Sequence, residues 1–124
     1  MVIAFILTLS QTHRLTMANA IKSELVDKLK QENCFWSFNN DLIEISDEIL
    51  IEKTLLHLDL PEIDKLFKIY PLKKIKQVWL DYLVPQGEYI YNLNRFIAWY
   101  YFNSKSPDSY IKAMATRYYN KLIS

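Results

Sequence analysis

One glycine in 124 residues is very little. Loops that cradle phosphate need glycines for tight turns and close backbone approach, so a P-loop or dinucleotide fold is excluded. The single cysteine, Cys34, allows no internal disulfide and fits a reducing cytoplasm. A net charge of +1 makes no global electrostatic case for nucleic acid or membrane. No apolar run is long. Met1 to Leu9 (MVIAFILTL) falls far short of the roughly 18–20 residues that span a bilayer, and it lacks the basic start and small-residue cleavage site of a signal peptide. Histidine is scarce too. His13 and His57 are the only two, and neither sits at a metal-ligand spacing with Cys34 or a carboxylate. Nothing repeats at a solenoid period.

What the chain does have is apolar and aromatic side chains, at 51% and 15% of residues. That composition folds into a globule rather than staying disordered. Met17 opens a clean helical pattern, so the expected organisation is an N-terminal extension over residues 1–16 and one helical domain over residues 17–124. The extension reads in three ways: as sequence upstream of a natural start at Met17, as a packed arm, or as a targeting segment.

The stretch from Asp47 to Val84 organises the rest. It predicts three helices separated by two short turns. The first, Asp47 to Leu58, has apolar residues on more than one side and is expected to be buried between neighbours. Ser46 caps it, with Asp47 and Glu48 in the first turn. Asp59-Leu60-Pro61-Glu62 breaks the chain and resembles a capping box. The second helix, Glu62 to Ile69, turns Ile63, Leu66 and Phe67 inward and ends at Tyr70-Pro71. The third, Leu72 to Leu83, carries Leu72, Ile75, Val78, Trp79 and Tyr82 on one face. Before this unit, Ala18 to Glu32 predicts a helix with Ile21, Leu25 and Leu29 inward, and Cys34 to Asp41 a non-helical joint whose three aromatics plug a gap. After it, Pro85-Gln86-Gly87 predicts a type I turn. Tyr89 to Asn103 predicts a highly aromatic helix, and Ser106-Pro107-Asp108 starts a last helix with Ile111, Met114, Tyr118 and Leu122 on one face.

Charge is segregated along the chain. Eight acids lie between Asp41 and Asp64 against the one Lys53, and then Lys65, Lys68, Lys73, Lys74 and Lys76 follow with no acid among them. The plainest reading is a solvated surface with a dipole. A sharper one sets the acidic half against a basic partner. Another takes the second and third central helices as a helix-turn-helix, with Lys73, Lys74 and Lys76 as phosphate contacts. That third helix has no Arg, Asn or Gln cluster at its start to read bases, so its lysines would hold backbone only. The aromatics of Tyr89 to Phe102 have the rings to stack on single-stranded bases, but Arg95 is the only charge among them. A core or partner-binding face suits them better. Catalytic patterns are missing. No arginine is followed by the histidine that HEPN-type ribonuclease toxins use, and there is no Gly-Ser turn with paired aspartates for nucleotidyl transfer.

Phe35-Trp36, the helix ILIEKTLLHLD (Ile49 to Asp59), Tyr70, Ile75-Lys76-Gln77-Val78 and Arg95-Phe96-Ile97-Ala98-Trp99-Tyr100-Tyr101-Phe102 together resemble a family of short bacterial proteins. Its members are often encoded beside AbiEii-type nucleotidyltransferase toxins. The resemblance covers residues 35–102. Leu58 and Leu72 stand where the family favours glycine, and Ser37-Phe38 replaces an acid after Phe-Trp, the marks of a divergent branch. It implies an antitoxin or accessory partner of such a toxin and supplies no catalytic residues.

The expectation is therefore a cytoplasmic, all-α, compact bundle of five to six helices with a central helix-turn-helix-like unit. Its function is a non-enzymatic interaction protein needing no metal or cofactor, with a nucleotidyltransferase-type toxin as partner. The alternative is a DNA-binding helix-turn-helix regulator. Trp36, Trp99, Tyr100 and Tyr101 are the expected interface or core residues. Oligomeric state is left open.

Overall fold

The computed structural model describes residues 2–32 and 45–123, with side chains from residue 16 onward. Every regular element among them is helical. In order they are α1 (Val2–Gln31), α2 (Asp47–His57), α3 (Leu60–Ile69), α4 (Leu72–Val78), a π-helical turn (Trp79–Leu83), a run of 3₁₀ turns (Val84–Ile90), α5 (Tyr91–Tyr100) and α6 (Pro107–Ile123). The all-α expectation holds. The helix boundaries differ from expectation at α1, which runs back to Val2 rather than starting at Ala18. No proline or glycine stands between Val2 and Ala18 to stop it. The joint over Cys34 to Asp41 lies outside the described residues.

Contacts divide the chain into two compact units, residues 1–70 and 71–124, whereas the sequence reading places residues 17–124 in one domain. The break falls at Tyr70-Pro71. Tyr70 is extended (φ −124°, ψ 146°), as a residue before proline must be. The three central helices are thereby shared out, α2 and α3 to the first unit and α4 to the second.

In the first unit α1, α2 and α3 pack on one another. Ser46 caps α2 by accepting the Ile49 N–H at 3.2 Å. Leu25 and Leu29 of α1, Leu50, Ile51 and Leu55 of α2, and Ile63 and Leu66 of α3 form the core. Each contributes about 1.5–3 kcal/mol by leaving water. Thr54 is buried among them, and its hydroxyl has no hydrogen-bond partner. The capping box expected at α3 does not form. Asp59 occupies the cap position without a side-chain bond, and the Glu62 carboxylate instead takes the Lys28 ammonium of α1 at 2.5 Å. Lys65 reaches Glu24 in the same way, and Lys22 stands 3.4 Å from Asp47. Asp47 also accepts the Tyr70 hydroxyl at 2.5 Å, and Lys22 lies 5.3 Å over the Tyr70 ring. Burial first, and then the Asp47 carboxylate, push the Tyr70 phenol far above its usual range.

In the second unit Trp79 is fully buried and central. Its ring lies 5.0 Å from Phe102 and stacks near-parallel on Tyr110 at 6.1 Å. Its indole N–H donates to the Asn94 side-chain oxygen at 3.0 Å, and the Asn94 amide donates to the Leu83 carbonyl at 3.1 Å. Two polar side chains are thus buried and satisfied together. The π turn explains a departure from the predicted face. The Val84 N–H bonds the Trp79 carbonyl five residues back, so the buried face slips by one position. Leu83 is fully buried and Tyr82 is 47% exposed, the reverse of the regular spacing. Leu72, also predicted inward, is exposed at the first position of α4. The only glycine, Gly87, has φ 65° and ψ −129°, and no atom lies within 4 Å of where a Cβ would stand. Its need is conformational, not spatial. The 3₁₀ turns around it take the place of a simple type I turn. Asn103 closes the α5 end with φ 53°, and the Ser104 N–H bonds back to the Ala98 carbonyl at 3.0 Å.

Candidate partner-binding face

Helix α5 carries its aromatic rings at half-buried and exposed positions, and only one side is buried. Asn94, Ile97 and Ala98 are buried, whereas Asn92, Arg95, Trp99 and Tyr100 are exposed. Trp99 retains 58% and Tyr100 48% of its accessible surface. The half-buried Phe96 supports them from below. It stacks on Tyr100 at 5.3 Å with 12° between planes and lies 6.2 Å from Trp99. Tyr101 meets Tyr100 edge-on at 4.8 Å and is half-buried. The outer rings are therefore held by ring contacts on a helix and lose little freedom when something covers them.

Beside this ridge lies an open groove of about 410 Å³, lined by Asn92, Arg95, Phe96, Trp99 and Pro107. The Arg95 Nε is 3.3 Å from the Asp108 carboxylate at the start of α6, and the Tyr91 hydroxyl donates to the same carboxylate. That bond holds the Tyr91 phenol above its usual range. One acid thus ties the first and second turns of α5 to α6. A second groove, of about 420 Å³ and mainly apolar, runs from Val84, Gly87 and Tyr91 to Ile111 and Ala115. Spacing did not reveal it, because it exists only once α5 and α6 are packed.

Charge also sorts by unit. Residues 71–124 hold eight basic side chains (Lys73, Lys74, Lys76, Arg95, Lys105, Lys112, Arg117 and Lys121) against Asp81, Glu88 and Asp108. Residues 1–70 hold seven basic side chains against eleven acids.

Of the four expected interface residues, the structure brings Trp99, Tyr100 and Tyr101 together at the C-terminal end of α5, with Tyr101 as its C-cap. Trp36 lies outside the described residues. The three lysines fare differently. Lys73 is exposed and Lys74 half-buried. The Lys76 ammonium is held 5.3 Å over Tyr110 and 5.9 Å over Phe102. Lys76 is thus directed onto rings of its own unit. The two helices of the supposed helix-turn-helix, α3 and α4, belong to different units. Sequence reasoning also overlooked Asn94, which it passed over in an aromatic run. An amide on the inner stripe of such a helix, with Ile97 and Ala98 at i+3 and i+4 from it, was the available signal.

His57 is exposed at the end of α2. Partial burial and then Lys53 lower its pKa. It lines a small polar groove with Lys28, Glu32, Asp59 and Glu62. Among the described residues no group of three or more His, Cys, Asp or Glu side chains is placed to hold a metal ion. Cys34 lies outside them. No helix among the described residues is long and apolar enough to cross a membrane.

The fold and face together describe an all-α chain with a half-exposed aromatic ridge held by ring contacts. Comparison with protein-family models, curated proteins and solved structures found no match.

Proposed function

We propose that this chain is a non-catalytic interaction protein and that the α5 ridge is where a protein partner docks. One observation carries the reading: Trp99 and Tyr100 stand side by side, about half exposed, on a helix whose inner face is fixed. Aromatic rings of this size bury about 150–250 Å² each, and tryptophan and tyrosine dominate the energetic centres of protein interfaces. Leaving two of them in water is unfavourable unless something covers them. The antitoxin-side family that the sequence resembles directs the choice of partner to a nucleotidyltransferase-type toxin.

The test is co-purification of the tagged chain from its native host, with the wild type compared with a Trp99→Ala, Tyr100→Ala double variant. Circular dichroism and a thermal melt confirm that both are folded. The expected result is a stoichiometric protein partner that is lost from the double variant. A partner retained in full without the two rings would overturn the reading.

A further inference from the structure

Taking α5 as a protein-docking face, the chemistry around its groove narrows what kind of segment enters it. We propose that the groove receives a short acidic stretch of the partner. A large apolar side chain of that stretch seats against Trp99 and Phe96, and a carboxylate next to it pairs with Arg95.

The groove walls supply the first argument. Phe96, Trp99 and Pro107 make an apolar slot, and Arg95 and Asn92 are its polar groups. A concave apolar surface with a few placed polar groups selects a ligand of matching pattern. The Arg95–Asp108 pair supplies the second. Both side chains are more than half exposed, at 55% and 57%, and the Arg95 Nε stands 3.3 Å from the carboxylate. Exposed pairs are worth little, so the guanidinium can take a second carboxylate, or exchange one for another, at small cost. A guanidinium also matches a carboxylate two bonds at a time. The third argument is the charge balance of residues 71–124. Asp108 is engaged by Arg95 and Tyr91, and Asp81 by Gln77. Lys73, Lys105, Lys112 and Arg117 make no ion pair among the described residues. An incoming acid meets an excess of positive charge, and complementarity of this kind steers association.

The same excess does not favour a polynucleotide. Arg95 is the only cation on α5, and the remaining cations are spread over α4, the α5–α6 connection and α6. Single-stranded nucleic acid is held by cations that track its backbone beside the stacking rings.

The deciding experiment pans a displayed library of random short peptides against the full chain and against Trp99→Ala, Arg95→Glu and Arg95→Gln variants. We expect wild type to enrich sequences that place an aromatic or large aliphatic residue beside Asp or Glu. Binding of a synthesised winner should weaken about tenfold in the Trp99→Ala and Arg95→Glu variants, less in Arg95→Gln, and should fall as salt rises. Enriched peptides that need Trp99 but carry no acidic bias, and that ignore Arg95→Glu, overturn this inference and leave the docking reading standing. Failure to enrich any Trp99-dependent peptide also overturns it, and the co-purification then decides the docking reading separately. Tight binding of a fluorescent oligothymidine at physiological salt, lost in Trp99→Ala, assigns the groove to single-stranded nucleic acid instead.

Discussion

The two units are held together by different physics. In residues 1–70, three helices cover an aliphatic core and are laced by ion pairs from α1, Lys22 to Asp47, Lys28 to Glu62 and Lys65 to Glu24. In residues 71–124 the centre is a tryptophan gripped by two aromatic rings and one buried amide. The first arrangement distributes modest energy over many contacts, several of them open to solvent and salt. The second concentrates it in one interlocked cluster. The aromatic supply of the second unit also exceeds what its interior takes, and the surplus appears on α5. A small helical unit with one tryptophan fully inside and another more than half outside has used one as core and left the other for contact.

The sharpest way to break this comparison is Trp79→Ala. It should cost about 3–5 kcal/mol in denaturant unfolding and abolish the near-ultraviolet dichroism of the packed rings. A loss no greater than that of an exposed tryptophan, measured on Trp99→Ala, would refute the central place given to Trp79. Asn94→Ala comes next. It leaves the Trp79 N–H and the Leu83 carbonyl buried and unpaired, and about 1–3 kcal/mol should be lost. Asn94→Asp should rescue it only as pH falls and the buried acid protonates, since the ionised carboxylate offers no donor to the Leu83 carbonyl and the protonated acid does.

In the first unit the effects are smaller and depend on pH. Tyr70→Phe removes the donor to Asp47 and should cost about 1 kcal/mol near neutrality. The folded pKa of this phenol is raised, so its contribution is fully present below the unfolded value of about 10 and declines as pH rises beyond it. A spectroscopic alkaline titration should show a late-ionising fraction to which Tyr70 and Tyr91 contribute, and the part due to Tyr70 should vanish in Tyr70→Phe. Glu62→Gln has the least effect, a few tenths of a kcal/mol at neutral pH. The Lys28 hydrogen bond lowers the Glu62 pKa, so its stabilisation is present above the unfolded carboxylate value of about 4.3 and is lost as pH falls through the lower folded value. Melting temperature followed down through that range should fall less steeply for the variant than for wild type. High salt should likewise separate the units, weakening contacts of the first more than the Trp79 cluster.

Much of the local structure was readable from residue types. Ser46 as a cap, Pro61 near a helix start and Tyr70-Pro71 as a helix stop all act within one or two residues of themselves. Leu25 and Leu29, and Ile63 and Leu66, were legible because a single helical period places them inward. The candidate site was half legible. The aromatic run marked α5, but composition alone leaves open whether Trp99 and Tyr100 are core or surface. Other points resisted reading for a common reason. The slip that hides Leu83 and exposes Tyr82 comes from one wider turn, and regular spacing assumes no such turn. Glu62 leaves its expected capping role because Lys28, 34 positions away in the chain, offers a charge.

By itself the sequence determined that this protein is helical, where most of its helices stop, and that its aromatic side chains crowd into the stretch from Tyr89 to Phe102. These follow from short-range backbone sterics and from periodicity. Only the tertiary structure decided that the chain divides at Tyr70-Pro71, that the buried Trp79 takes Asn94 as its partner, and that Trp99 and Tyr100 stay out beside Arg95. Those outcomes depend on which helix faces meet, and that is settled by contacts between residues distant in the chain.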